Sequence, residues 1–167
     1  MMFQVILAAL MVAGAVHAQV RRGPSKGRTA EMMLVYVLSG YCGVMMFVIG
    51  LVAVLNPDWV ATNMAQVPPG NPVMIWARFL FLGLAIVAIM TIWLRGVFLI
   101  APVIVWSIYW AGATYAHLAA DRQNGYSLTP RLFFETFVGH GLVALILLVL
   151  AGALWRQSVT ARRTIDA

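Results

Sequence analysis

The sequence predicts an all-α transmembrane bundle of four core helices, and three observations carry that prediction. Hydrophobic residues make up 63% of the 167 and charged residues only 10%, where a soluble domain carries about a quarter charged. Mean hydropathy is +0.92. Four separate runs reach the length of about 20 apolar residues that a helix needs to cross the hydrocarbon layer: 33–55, 73–94, 97–117 and 132–154. One cysteine, Cys42, excludes a disulfide framework, a CxxC pair or a zinc cluster.

The segments between the runs read as reversals. "NPDWVATNMAQVPPGNP" is a Pro- and Asn-rich loop. "RG" at Arg95 and Gly96 is a two-residue turn that makes the second and third helices antiparallel neighbours. "DRQNGYSLTPR" is a polar turn with an Asn-Gly signal. Pro102 predicts a bend near the start of the third helix. Trp59, Trp76, Trp93 and Trp155 fall near the ends of the runs, as an interfacial aromatic belt does.

Charge orients the bundle. Arg21, Arg22, Lys26 and Arg28 precede the first run, Arg95 lies in the tight turn, and Arg156, Arg162 and Arg163 follow the last, eight basic residues in all. The opposite loops hold Arg122 and Arg131. The positive-inside rule then places the RG turn and the C-terminus in the cytoplasm of a bacterium, with the chain in the inner membrane. The net charge of +6 is gathered beside apolar runs, where lipid headgroups meet it, and is not a nucleic-acid footprint. Residues 1–20 leave three readings open: a fifth helix, a cleaved signal ending at "VHA", or a true start at Met32 or Met33. The remaining divisions are a basic linker over 21–31, the four-helix domain over 32–155 and a basic tail over 156–167.

Ionisable side chains inside the runs are candidate sites by default. Arg78 lies five residues past Val73, roughly 7–8 Å below the membrane edge at 1.5 Å per residue. Together with His117, Asp121 and Glu135 it forms a candidate polar cluster on the periplasmic side, and its expected ion-pair partner is Glu135 or Asp121. His140 lies about 12 Å along the fourth run by the same rise, which sets it at a different level from His117 and argues against one haem between them. Flanked by Gly139 and Gly141, it reads as a helix-packing histidine, and Gly40, Gly43 and Gly50 read as close-packing sites in the first helix. Trp106, Tyr109 and Trp110 line one side of the third helix, as packing residues or as contacts for a flat ligand.

The carrying motifs "GLVAVLNPDWVA", "ARFLFLGLAI" and "AHLAADRQNGYS" give residues 33–155 a resemblance to the small four-helix bacterial membrane proteins of the DoxX-like and related families. Those families often show Asp-Gly after the third helix, where this chain has Asp121 and Gly125 apart. The resemblance implies a four-helix fold and, in a few relatives, a quinone-linked redox role. No Ser-His-Asp, P-loop, HExxH or GxGxxG constellation is present, and no metal site or cofactor is evident. The expectation is a non-catalytic accessory or scaffold subunit, its partners the bilayer and the other subunits of a larger energy-converting membrane complex. The alternatives are a quinone- or haem-binding redox subunit and a small transporter.

Overall fold

A computed structural model describes residues 2–22, 26–63, 67–123, 133–134 and 136–165. All regular structure among them is helical. The elements are α1 (Met2–Arg22), α2 (Lys26–Tyr36), a π-helical segment π1 (Val37–Met45), α3 (Met46–Leu55), α4 (Pro57–Asn63), α5 (Pro72–Met90), a 3₁₀ turn (Gly96–Leu99), α6 (Ile100–Gln123), a second π-helical segment π2 (Phe137–Gly141) and α7 (Leu142–Ile165). Four stretches among the described residues are long and apolar enough to cross a membrane: Phe3–Val20, Gly27–Leu55, Gly96–Ala119 and Phe137–Arg156. Such a chain is a multi-pass membrane protein.

The rod α2–π1–α3 runs through the centre, and α1, α5 and α7 pack along it. α1 returns on α2 as a helical hairpin. Gly14 makes this approach close: a Cβ there would stand 2.8 Å from the Met33 Cα, and small residues are what let apolar helices meet without a water-driven force between them. The hairpin is fastened by a hydrogen bond of 2.8 Å between His17 Nδ1 and the Tyr36 hydroxyl. The stretch expected as a basic linker over 21–31 is helical on both sides, since α1 reaches Arg22 and α2 starts at Lys26.

The glycines of the rod sit at its contacts. A Cβ on Gly40 would meet Leu10 of α1 at 2.7 Å, one on Gly43 would meet Ile89 of α5 at 2.7 Å, and one on Gly50 would meet Leu82 of α5 at 2.8 Å. Around them Leu34, Val37, Leu38, Cys42, Ala85, Ala88, Trp106, Val143 and Leu147 form a buried core.

The connections differ from expectation in three ways. First, "NPDWVATN" is not a plain loop but carries α4. Asn56 accepts the Trp59 N–H through its side-chain oxygen at 3.3 Å, and Pro57 takes the first helical position, where its missing N–H is no loss. α4 lays Val60 and Ala61 against Ala53 and Met74, and Asp58 Oδ1 accepts the Gly70 N–H at 2.8 Å, tying the connection back on itself. Second, α5 stops at Met90, four residues before the expected Leu94. The Thr91 hydroxyl donates to the Ala88 carbonyl at 2.6 Å, and the chain passes through turns to Gly96, whose φ of +66° suits glycine. Third, α5 and α6 are adjacent only loosely: α5 packs mainly on π1 and α3, and α6 mainly on α7. Pro102 falls in the first turn of α6, where the lost N–H is tolerated, so the change of direction precedes it in the 3₁₀ turn.

A cleft lined by a ladder of rings

The loose seam between α5 and α6 opens into a cleft of about 740 Å³ at the α4 end of the bundle. Most elements contribute to it: Gln4 of α1, Tyr41 and Met45 of π1, Ile49 of α3, Val60 of α4, Phe81 of α5, Tyr109, Trp110 and His117 of α6, and His140 of π2. Both π segments therefore border it. A π turn carries more residues than an α turn, a geometry that recurs at functional sites because it turns side chains out of helical register.

One wall is a continuous ladder of aromatic rings. Phe81 meets Tyr109 edge-on at 5.6 Å, Tyr109 meets Trp110 edge-on at 5.1 Å, Trp110 lies 5.7 Å from His140, and His140 lies 4.6 Å from His117. These spacings are those of favourable ring pairs. Trp106 stacks on Trp110 at 6.3 Å from behind the wall. It is 1% exposed and belongs to the core.

The histidine geometry corrects the expectation of two levels. His117 of α6 and His140 of π2 lie side by side. Their rings touch at 4.6 Å with 31° between planes, which leaves no room for a porphyrin between them. The pair does not fit two axial ligands of one haem. Among the described residues no group of three or more His, Cys, Asp or Glu gathers to hold a metal.

Polar atoms without partners collect at the same place. Gln4 Oε1, Trp110 Nε1 and His140 Nδ1 are buried without a completed hydrogen bond. The Trp110 indole faces the Cys42 sulfur, a weak acceptor. The His140 ring faces the Thr136 backbone one turn back. Leaving a buried polar atom unpaired costs about 1–3 kcal/mol, and native structures rarely accept that without a reason.

The expected cluster of Arg78, His117, Asp121 and Glu135 is brought together only in part. His117 lines the cleft. The Arg78 guanidinium lies 5.2 Å over the Phe79 ring, a cation–π arrangement, and Arg78 is not among the lining residues. Its pairing with Glu135 or Asp121 lies outside the described residues, as Glu135 and the Asp121 side chain do. Gly139 borders the cleft with the Gln4 amide 4.0 Å from where its Cβ would stand, and a Cβ on Gly141 would meet the Phe137 ring of its own segment at 2.7 Å. Gln4, Tyr41 and Phe81 were not legible as site residues. Only the polar Gln4 inside an apolar run offered a signal.

Over residues 1–160 the chain matches the DUF6790 family, a family of unknown function, and it belongs to that family. The match agrees with an uncharacterised family and does not show the DoxX-like group that the motifs resemble. No curated protein and no solved structure matches the chain.

Proposed function

We propose that this chain is a non-catalytic, multi-pass protein of a bacterial inner membrane that holds a lipid-soluble molecule in its cleft. The observation that carries this reading is the coincidence of a 740 Å³ cleft, within the size range of ligand sites, with the unpartnered polar atoms of Gln4, Trp110 and His140. The distribution of basic residues supports a cytoplasmic Arg95 end and C-terminus, with the cleft in the outward half of the bilayer. The packing of α1 supports its retention as a fifth helix, because Phe3 and Gln4 form part of the cleft wall.

The test is purification of the tagged protein from its own membrane in mild detergent, followed by solvent extraction and mass spectrometry. The expected result is about one lipid-soluble small molecule per chain, lost in Trp110→Ala. Extracts of wild type and variant with the same bulk-lipid profile overturn the reading.

A second reading is favoured by Gly83 of α5 and Gly152 of α7. Both are exposed, and an added Cβ would meet nothing within 4 Å. They leave notches on outward faces where a neighbouring helix can approach closely, as an accessory or scaffold subunit of a larger energy-converting complex requires. Partner proteins in fixed proportion in the same purification, lost in Gly152→Leu, establish it. A solitary chain refutes it.

A further inference from the structure

The cleft has a mouth and a wall of different chemistry. The mouth is the α5–α6 seam. Its α6 lip is formed by Ile108, Gly112 and Ala116, one residue per turn on a single face. All three are exposed, Ile108 to 68%, so this lip stands where lipid surrounds the bundle. At its middle the side chain shrinks to nothing, and a Cβ on Gly112 would have no atom within 4 Å. Across the seam stand Phe81 and Met74. A hydrocarbon chain lying in the bilayer can pass between the helices there without crossing water.

The wall asks for something other than a second hydrocarbon chain. Phe81, Tyr109, Trp110, His140 and His117 present linked rings, a surface that gains most from a flat partner at stacking or edge distance. Tyr41 and Tyr109 add hydroxyls whose hydrogens rotate to suit an acceptor. His140, whose Nδ1 is without a hydrogen-bond partner, stands beside them in the same wall. Among the described lining residues there is no Asp, Glu, Lys or Arg. A charged headgroup would find no counter-charge in that wall and would lose its hydration on seating.

We propose that the cleft takes an uncharged lipid whose head is a flat, oxygen-bearing ring. The ring lies along the Tyr109–Trp110–His140 wall and the tail leaves through the α5–α6 seam past Gly112. This deepens the reading of the chain as a holder of a lipid-soluble molecule and rests on it. Two sources share the chemistry, a prenyl-type quinone and a hydroxylated polycyclic lipid.

The experiment uses the full chain in phosphatidylcholine nanodiscs with three probes: a decyl-tailed benzoquinone, cholesterol and dioleoylglycerol. Bound probe is counted by native mass spectrometry as its concentration rises. The expected result is saturable one-to-one binding of a ring probe, weakened at least tenfold in Gly112→Leu, whose added side chain fills the mouth while its melting temperature stays at that of wild type. Ala116→Leu, one turn along the same lip, repeats the test should the first variant fold poorly. Saturation by the benzoquinone alone or by cholesterol alone assigns the head. Ring probes that bind wild type and both lip variants equally overturn the proposal. Saturation by dioleoylglycerol alone overturns the ring-bearing head and leaves the lipid-holder reading standing. No saturable binding of any probe, together with no molecule co-purifying from the native membrane, overturns both.

Discussion

The two ends of the bundle are packed to opposite effect. Towards Arg95, the rod meets its neighbours through Leu34, Val37, Leu38, Ala85, Ala88 and Leu147, all essentially without exposed surface. Towards α4, ring-bearing and polar side chains, among them Gln4, Tyr41, Tyr109, His117 and His140, stand apart and enclose 740 Å³. Glycine and the π turns separate the two ends further. Gly43 draws α5 against the rod until Ile89 lies 2.7 Å from an imagined Cβ. Gly112 faces open space, and π1 and π2 turn Tyr41 and His140 to the cleft.

That contrast can be broken most strongly from the packed side. Trp106→Ala removes a side chain that is 1% exposed and touches Tyr109 and Trp110. A loss of about 3 kcal/mol is expected for an unfilled cavity of this size, read as a fall in the detergent-solubilised melting temperature. Gly43→Leu forces α5 away through the Ile89 backbone, whose nitrogen would lie 3.1 Å from the new Cβ. It should cost about 2 kcal/mol by overpacking, checked the same way.

Tyr36→Phe deletes the partner of His17 and leaves the hairpin intact. A loss of about 1 kcal/mol is expected for one half-buried hydrogen bond, and faster hydrogen exchange in α1 than in α7 would locate it. The smallest effect sharpens the contrast most. Gly112→Leu makes the same substitution as Gly43→Leu, yet stability should stay level or rise by up to about 1 kcal/mol, since a helical glycine is replaced and nothing is displaced. Equal losses at Gly43 and Gly112 would show that the two ends do not differ in packing.

Much of the fold was legible because the bilayer imposes it. A chain without backbone partners in lipid must form helices, so the long apolar runs could be read as helices from length alone. The Asn-Pro pairs at 56–57 and 71–72 were visible as breaks. That Asn56 caps a helix was not, because α4 is only seven residues long and sits in a segment that composition marks as loop. The cleft was hidden for a different reason. Its lining comes from α1, π1, α3, α4, α5, α6 and π2, and apolar periodicity along one helix says nothing about the gap it leaves with another. The His117–His140 contact was not legible because the rise counted along each run does not fix the relative height of two helices. The π segments leave no trace in a count made at 100° per residue.

The nine-residue segment Val37–Met45 has a consequence for descent. Each wide turn in it takes up more chain than an α turn does for the same stretch of axis. The rod thus carries slack within a crossing whose length the bilayer fixes. Loss of one codon there would let the helix tighten to ordinary winding and still reach both surfaces, with Met46–Leu55 near its present face because the removed residue and the lost width offset each other. Gly50 would keep its place against Leu82, while the side chains that π1 now turns to the cleft, Tyr41 and Met45, would be redealt. A lineage holding such slack can alter what borders its cleft by losing one residue, with the packing on either side kept.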